Sequence, residues 1–314
     1  MNDPVVSVIV AVRNGQGRIS ACIESLLALD YPAYEILVVD DNSQDDTAVI
    51  AGRYAPRVRL IVNESQMGPA ESRNRGCRAA RGDMAAFIDG DCIADRNWLQ
   101  ELARGFRGND AAGVGGAQDV PVDETGFGRK VSAFLKTSGF ISDYVKHDSR
   151  TIIRVSHNPS CNVMYRKDVL IKEGGFLNGL WPGEDVELDY RLGKKGYRLY
   201  FNSRARVSHY RADTVVKFGK MMWRYGWVQG FLVRRYGFFR KIQYSPFLVL
   251  ILAFLFVLAA RSGVPLSILI LAFFLCAFLL AGLWNTLLGI CAAVCWNCGF
   301  FSGLFAGNLK SRMA

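Results

Sequence analysis

Four short apolar runs alternate with helical patterns over the first 91 residues, and this alternation restricts the possible fold more than any other feature of the chain. The runs begin at Val5, Glu35, Val58 and Ala85. Apolar residues between them recur at helical spacing, as they do from 19 to 27. Strands that alternate with helices in this way pair in parallel, because each helix carries the chain back to the same edge of the sheet. The sequence therefore predicts an α/β fold with a mostly parallel sheet flanked by helices.

The fourth run ends abruptly in two acids, Asp89 and Asp91, which are separated only by Gly90. The acids follow the carboxyl end of the predicted strand, where open α/β sheets bind their ligands. Gly90 can adopt a turn conformation that other residues avoid, and it can thereby re-aim Asp91. Two carboxylates placed in this way can hold one hard divalent cation. A strand followed by an ordinary Asp-Gly turn is the alternative if the motif is taken alone.

The formal net charge of +10 is concentrated in the C-terminal third of the chain. Residues 211–245 contain eight basic residues and one acid, and 246–314 contain three basic residues and no acid, so 1–210 are neutral overall. A nucleic-acid-binding protein would carry its charge on the folded domain, and this distribution therefore argues against nucleic acid as a partner. A basic segment directly before an apolar one instead predicts a position at the cytoplasmic surface of a membrane.

Residues 215–233 combine apolar and basic side chains at helical spacing. Lys217, Lys220, Arg224 and Arg235 fall on one face of the predicted helix. This pattern is typical of an amphipathic helix that lies in a membrane interface. A packed helix with a solvated basic face is the alternative.

Three apolar stretches without acids follow, at 246–260, 264–283 and 287–307. The second and third are long enough to span a bilayer, and the first is marginal. Short breaks between them are predicted at 261–263 and 284–286. Three spans would place the basic C-terminus on the side opposite the basic segment, against the positive-inside rule, whereas two spans satisfy that rule. The sequence predicts a multi-pass membrane region with two or three spans.

Of the eight cysteines, Cys295 and Cys298 have the CxxC spacing of a metal site, but no histidine or further cysteine pair lies nearby in the sequence to complete one. Cys22, Cys77, Cys92 and Cys161 are scattered along the first 210 residues, and the other four lie in the apolar tail. This usage predicts reduced thiols in a reducing compartment.

Six short motifs occur in a fixed order within residues 5–235. They are Ala11–Asn14, Val39–Ser43, Gly68–Gly76, Asp89–Asp91, Asn162–Arg166 and Gly183–Asp185. Each motif is weak alone, but the ordered set resembles the family 2 glycosyltransferases.

The resemblance implies a GT-A fold, in which a nucleotide-binding α/β half joins an acceptor half. It implies transfer of a sugar from a nucleotide-diphosphate donor to an acceptor hydroxyl, with inversion. The cofactor implied is Mg²⁺ or Mn²⁺, since the charge that develops on the diphosphate leaving group requires compensation. By resemblance, Asp91 binds this cation, and Asp89 holds the donor ribose or the water on the metal. The other nucleotide contacts that the resemblance implies are Arg13, Asn14, Asp41, Arg73 and Asn162.

The Glu184-Asp185 pair is implied to be catalytic. In the family, the second acid of this pair removes the proton from the acceptor hydroxyl, and that role falls to Asp185. A carboxylate in a partly desolvated cleft is a competent general base. The alternative is a pair of acids that the dipole favours at a helix N-terminus, and both interpretations can hold together.

A late histidine serves as a metal ligand in some GT-A enzymes, and His209 occupies a similar position here. Neutral imidazole suits manganese less well than carboxylate does, but it is tolerated. A structural histidine on a strand is the alternative for this residue.

Processive polysaccharide synthases carry a Gln-x-x-Arg-Trp motif near the membrane, whereas residues 223–230 hold these residue types in another order. This departure predicts transfer of a single sugar rather than chain extension.

The complete prediction is a chain of three parts: a catalytic domain at 1–210, a basic amphipathic juxtamembrane segment at 211–245, and a transmembrane region at 246–314. The predicted enzyme lies in the cell membrane with its catalytic domain in the cytoplasm. Its donor is a nucleotide-diphosphate sugar, and its acceptor is a lipid-linked, polyprenyl-bound glycan. Two alternatives remain, which are a polyprenyl-phosphate sugar synthase and a catalytically inactive scaffold that binds nucleotide sugars.

Overall fold

The computed structural model describes residues 4–108, 110–138, 151–261 and 266–306 of the 314-residue chain. Internal contacts divide these residues into two compact units. The first unit contains 4–108, 110–123 and 151–210, and the second contains 124–138, 211–261 and 266–306. The division of the sequence into three parts at 210 and 245 stays a prediction.

Nine strands of the described residues form one sheet in the first unit. They are β1 (Val6–Val12), β2 (Tyr34–Asp40), β3 (Val58–Val62), β4 (Met84–Asp89), β5 (Cys92–Ala94), β6 (Ala111–Asp119), β7 (Ile153–Val155), β8 (Asn162–Arg166) and β9 (Arg198–His209).

The helices of the described residues fall in both units. They are α1 (Ile19–Leu27), α2 (Thr47–Gly52), α3 (Pro69–Ala79), α4 (Trp98–Arg104), α5 (Gly126–Ser138), α6 (Lys167–Lys172), α7 (Glu184–Lys194), α8 (Val215–Tyr236), α9 (Ser245–Arg261) and α10 (Leu266–Leu304). The second unit contains α5, α8, α9 and α10.

The strands lie in the order β3-β2-β1-β4-β8-β6-β9-β5, and β7 pairs with β9. Strands β3, β2, β1 and β4 are parallel, as the alternation of strands and helices predicts. Strand β8 runs antiparallel to both β4 and β6, while β5 and β7 run antiparallel to β9. The α/β fold is therefore confirmed, with a mixed sheet in which parallel pairing dominates the half built by helical crossovers.

The register of the parallel half aligns the loops that carry the sequence motifs. Val12 lies opposite Asp40 across β1 and β2, and Ala11 lies opposite Asp89 across β1 and β4. The loops that follow β1, β2 and β4 therefore leave the same edge of the sheet. Apolar residues pack on both faces of this sheet and hold the edge in place.

Gly76 allows α3 to lie directly on the sheet. A β-carbon at this position would be 2.5 Å from Cγ2 of Ile9 in β1 and 3.2 Å from Cγ2 of Val39 in β2. A larger residue would push the helix outward, because protein interiors leave no space for such an overlap. The same helix carries Arg73, which is buried. The close packing of α3 therefore fixes where the Arg73 side chain lies.

Helix α10 runs without interruption from Leu266 to Leu304. The break predicted at 284–286 is therefore wrong, since Trp284, Asn285 and Thr286 all lie within the helix. These three residues include neither proline nor glycine, and their weaker helix propensity is overridden by the long apolar segments on either side. The break predicted at 261–263 begins where α9 ends, and its remaining residues lie outside the described part of the chain.

Two segments of the described residues are long and apolar enough to cross a membrane. They are Lys241–Ala259 and Trp284–Leu304, with mean hydropathies of 2.3 and 1.7. The assignment rests on length and composition alone.

Helices α8 and α10 approach each other closely through glycines. Gly226 and Gly230 lie one turn apart on α8, and β-carbons there would lie 1.9 Å from the carbonyl oxygens of Trp296 and Phe300. Small residues spaced in this way let two helical backbones come into contact. The apolar face of α8 is consequently buried within the second unit, with Phe218 fully covered. The amphipathic helix that the sequence predicts is α8. Its apolar face packs against protein, which agrees with the alternative of a packed helix.

Candidate active site

The loops after β1 and β2 are tied together at the edge of the sheet. Asn14 follows β1 with a left-handed backbone (φ 51°), its backbone amide donates to Oγ of Ser43 at 2.9 Å, and its Oδ1 accepts from the amide of Gln44 at 2.9 Å. Arg13 beside it is exposed. Asn14, one of the residues predicted to contact the nucleotide, is thus held against the loop that follows β2.

The carboxylate of Asp41 organises the loop before α3. Its Oδ1 accepts hydrogen bonds from Nδ2 of Asn63 at 2.8 Å and from the amide of Met67 at 2.7 Å, and its Oδ2 accepts from the amide of Gly68 at 2.8 Å. Asp41 is buried by these contacts. The contacts described are all with protein, and the predicted contact with the nucleotide stays a prediction.

A buried arginine joins the Asp89 motif to the Glu184-Asp185 pair. Nη2 of Arg73 lies 2.8 Å from Oδ1 of Asp89, and Nη1 of Arg73 forms an ion pair with Oε1 of Glu184. The side chains of Arg73 and Glu184 are only 5% and 4% exposed. Three segments that are far apart in the sequence therefore meet at one guanidinium.

The charges in this cluster strongly affect one another. Burial opposes the charge of Arg73, but the carboxylates of Glu184 and Asp89 outweigh burial and raise the pKa of the guanidinium. Burial raises the pKa of the Glu184 carboxyl to about 7, although Arg73 favours its charged form. Asp185 adds to the rise in the pKa of Glu184 through like-charge repulsion.

Asp185 lies in the first turn of α7, directly after Gly183 and Glu184. Gly183 has a left-handed backbone (φ 95°), which favours glycine. Oδ2 of Asp185 accepts from the amide of Ser160 at 2.9 Å, and Oδ1 accepts from the amide of Val186 at 2.7 Å. The side chain is half-buried, so it is held in one orientation by backbone donors while part of it stays accessible.

Asp89, Asp91 and His209 present one ligand atom each, and these atoms lie within 4.8 Å of one another. Nε2 of His209 lies 3.6 Å from Oδ1 of Asp91. The histidine ends β9, which pairs with β5 directly after the Asp89-Gly90-Asp91 turn. The turn and the end of β9 therefore bring together the three residues predicted to bind metal.

The structure places Asn162 inside the sheet. It is fully buried, its Oδ1 accepts from Nε1 of Trp98 at 2.8 Å, and its Nδ2 donates to the carbonyl oxygens of Ala117 and Ala205 at 2.8 and 2.9 Å. These contacts join strands β8, β6 and β9 to α4. The predicted contact of Asn162 with the nucleotide stays a prediction.

Sequence reasoning missed two sets of neighbours. The backbone amide of Ser160 orients Asp185, and no side-chain signal in the sequence indicates a backbone donor. The thiols of Cys92 and Cys161 lie beside His209. Their only signal was adjacency to motif residues, because Cys92 follows Asp91 and Cys161 precedes Asn162.

A family model described as Glycosyl transferase family 2 matches residues 7–174, which is more than half of the chain. This chain is a family 2 glycosyltransferase. The matched residues extend from β1 through α6 and include the loops after β1, β2 and β4. Membership in the family confirms the resemblance that the six ordered motifs predict.

Two relatives of this family 2 glycosyltransferase are named as glycosyltransferases, and the name of the second includes a dolichyl-linked sugar phosphate. Glycosyltransferase AglE of Haloferax volcanii is 30% identical over 203 residues. The match covers 63% of this chain and 64% of that protein, so it spans just under two thirds of the length of that relative. A Methanococcus voltae protein is 25% identical over an alignment of 332 positions that covers 96% of this chain and 98% of that protein. It is named dolichyl N-acetyl-alpha-D-glucosaminyl phosphate 3-beta-D-2,3-diacetamido-2,3-dideoxy-beta-D-glucuronosyltransferase.

A solved structure shares the fold of this glycosyltransferase. Mannosyltransferase PcManGT from Pyrobaculum calidifontis, in complex with GDP-Man and Mn²⁺, aligns with a TM-score of 0.68 and 18% identity. The alignment covers 97% of this chain and 88% of that one. This likeness concerns the fold, and it confirms the GT-A architecture that the motifs predict.

Proposed function

We propose that this enzyme transfers a single sugar, with inversion, from a nucleotide-diphosphate donor to a hydroxyl of a polyprenyl-linked glycan at the cytoplasmic face of a membrane. The observation that carries the proposal is the arrangement around Arg73. This arginine contacts both Asp89 and Glu184, the residue next to Asp185. Arg73 therefore connects Asp89, assigned to the cation on the diphosphate, with the segment that carries Asp185, assigned to accept the proton.

The proposed reaction is a direct displacement. The acceptor hydroxyl attacks the anomeric carbon of the donor sugar, and the bond from that carbon to the diphosphate oxygen breaks with its electron pair on the diphosphate. Asp185 takes the hydroxyl proton, because a half-buried carboxylate with fixed orientation acts as a general base. The bonds from the amides of Ser160 and Val186 hold its oxygens in place during the attack.

The residues at the end of β4 suit a hard divalent cation. Two carboxylates and one imidazole present ligand atoms within 4.8 Å of one another. The carboxylates suit manganese or magnesium, and manganese tolerates the imidazole. Oδ1 of Asp89 already accepts from Arg73, which leaves Oδ2 of Asp89 for the cation. We assign Asp91, Asp89 and His209 as its protein ligands. When bound, the cation supplies positive charge for the diphosphate leaving group.

The second unit contains a groove of about 550 Å³ that suits a lipid-phosphate carrier. Its apolar wall consists of Val215, Val216, Gly219, Trp223, Cys291 and Cys295. Lys220 and Arg224, one helical turn apart on α8, complete the lining. An apolar wall beside two cations matches a polyprenyl chain that carries a phosphate, and the name of the Methanococcus voltae relative includes a dolichyl phosphate.

Replacing both Lys220 and Arg224 with glutamine is expected to raise KM for a long-chain polyprenyl-diphosphate-linked saccharide acceptor about 30-fold, since each basic residue near an anionic lipid contributes about 1 kcal/mol. The KM for the nucleotide sugar should not change. The measurement is initial-rate kinetics with the enzyme in detergent micelles. Lys217→Gln is the matched control, because Lys217 is on the same helix, forms an ion pair with Asp213 at 2.8 Å and does not line the groove. An equal rise in acceptor KM for Lys217→Gln would contradict the assignment.

The proposed function is tested by incubating the detergent-purified chain with UDP, GDP, CMP and dTDP sugars, Mn²⁺ and polyprenyl-linked saccharide acceptors. We expect one donor class to yield a product that is one sugar larger by mass spectrometry, with the anomeric configuration inverted by NMR. Retained configuration would overturn the mechanism, and the absence of transfer from every donor would favour the scaffold alternative.

A further inference from the structure

A second group of metal-binding side chains adjoins the first. The Sγ atoms of Cys92 and Cys161 and a ring nitrogen of His209 lie within 4.8 Å of one another. Cys92 is the first residue of β5 and lies opposite His209 in the antiparallel pairing of β5 with β9. Cys161 precedes β8. Both thiols are buried, and His209 is half-buried.

The donor atoms of this group differ in kind from those of the carboxylate group. Two sulfurs and one imidazole favour a cation of the zinc class, whereas carboxylates favour manganese and magnesium. Tetrahedral zinc with bonds of about 2.3 Å to sulfur holds its ligand atoms about 3.8 Å apart. The separations of up to 4.8 Å are therefore within about 1 Å of a zinc site with three protein ligands and one open position.

His209 belongs to both groups. Its Nε2 lies 3.6 Å from Oδ1 of Asp91, and its Nδ1 lies 3.3 Å from Oε1 of Gln118. A cation bound by the two sulfurs and His209 would hold the imidazole and would place two positive charges beside Asp91. Occupation of the imidazole removes one ligand from the carboxylate group. The added positive charge further weakens binding of a second cation by the carboxylates, because like charges at such distances repel strongly.

We propose that Cys92, Cys161 and His209 form a binding site for a thiophilic divalent cation of the zinc class, and that occupation of this site inhibits sugar transfer. The site would make the enzyme sensitive to free zinc, since zinc there and the hard cation at Asp89 and Asp91 compete for His209. The inhibitory part rests on the proposed function of the carboxylate site, whereas the binding part does not.

Binding is tested without any activity measurement. The full chain is purified in detergent, free of metal and with a phosphine reductant, and it is titrated with Co²⁺ as a spectroscopic probe of the zinc site. We expect a near-ultraviolet sulfur-to-cobalt charge-transfer band that Zn²⁺ abolishes by displacement. Cys161→Ser should lose the band, and Cys77→Ser should keep it, because Cys77 is a buried thiol of α3 outside the group. A wild-type protein without the band would overturn the proposal.

Inhibition is tested by titrating Zn²⁺ into the transfer reaction at a fixed Mn²⁺ concentration, with each variant compared with its own rate in the absence of zinc. Loss of a group that only supports a ligand weakens metal affinity by about 10- to 100-fold, so loss of a ligand should raise the half-inhibitory Zn²⁺ concentration by at least about 100-fold. We expect that rise for Cys161→Ser and no change for Cys77→Ser. Cys92→Ala replaces Cys161→Ser if the latter does not fold.

Two results would overturn the inhibitory site. Equal sensitivity to zinc in Cys161→Ser and Cys77→Ser would mean that zinc acts at the carboxylates. The second result is a protein that shows no cobalt band, loses activity in the absence of metal and regains it with a thiol reductant. That result would instead assign Cys92 and Cys161 to a disulfide. If no transfer is found with any donor, the proposed function fails, but the cobalt titration still decides whether the metal site exists.

Discussion

Replacement of Asp185 with asparagine is expected to lower kcat for transfer to a hydroxyl acceptor by about 10³-fold, because general-base catalysis contributes about 10²- to 10⁴-fold. An amide keeps the size of the side chain, and its oxygen can still accept from the amide of Ser160 or of Val186. It cannot take up the hydroxyl proton. The nucleotide should bind with unchanged affinity, since Asp185 is assigned to the acceptor step. The measurements are steady-state rates and donor binding by calorimetry.

Asp168→Asn is the matched control for this experiment. Asp168 is also in the first turn of a short helix, and its Oδ1 accepts from the amide of the next residue, Val169, at 2.8 Å, just as Asp185 accepts from Val186. Its loss should leave kcat unchanged. Retained turnover in Asp185→Asn would contradict the base assignment. It would favour the alternative of a polyprenyl-phosphate acceptor, because a phosphate is already ionised and needs no base.

Local patterns predicted the parallel half of the sheet because its information lies within short segments. Apolar runs, helical spacing and the residues that end each strand are local, and they predict β1 through β4 and the helices between them. Strand β8 lies between β4 and β6 and runs antiparallel to both. No local pattern specifies such an insertion, since it depends on long-range pairing.

In the candidate site, too, the sequence indicated which residues take part but not all of their long-range contacts. The sequence indicated Asp89, Asp91 and His209 as metal ligands, and the structure brings their ligand atoms together. It indicated Arg73 only as a nucleotide contact, whereas the structure shows ion pairs with Asp89 and Glu184. Arg73 and Glu184 are 111 positions apart, and periodicity carries no information about a contact at that separation.

The break predicted in α10 has a different origin. Polar residues between two apolar segments were interpreted as a turn, although Trp284, Asn285 and Thr286 include no strong helix breaker. Packing decided the outcome, because Leu288 and Ala292, just after these residues, are buried in the cluster formed with α5 and α8. A helix that is held by neighbours on one side tolerates residues of modest propensity.

Replacement of Asp91 with asparagine is expected to lower kcat/KM for the nucleotide sugar by about 10³-fold, because a bound cation contributes several kcal/mol to stabilising the charge on a diphosphate. Asp91 is exposed at the turn after β4 and is one of the two carboxylates in the group with His209. An amide oxygen is a weaker ligand for a hard cation than a carboxylate oxygen is. The loss should therefore be largest at low Mn²⁺ and should be partly recovered as Mn²⁺ is raised.

Asp83→Asn separates this effect from a general loss of acidic charge. Asp83 is exposed and comes just before β4, at the end of the strand opposite to the Asp89-Gly90-Asp91 turn. It should leave kcat/KM and its dependence on Mn²⁺ unchanged. Thermal shifts with the nucleoside diphosphate should depend on Mn²⁺ in the wild type and in Asp83→Asn but not in Asp91→Asn. If Asp91→Asn kept the Mn²⁺-dependent shift and the wild-type rate, the cation would not be bound by Asp91, and Asp89 and His209 would have to hold it without Asp91.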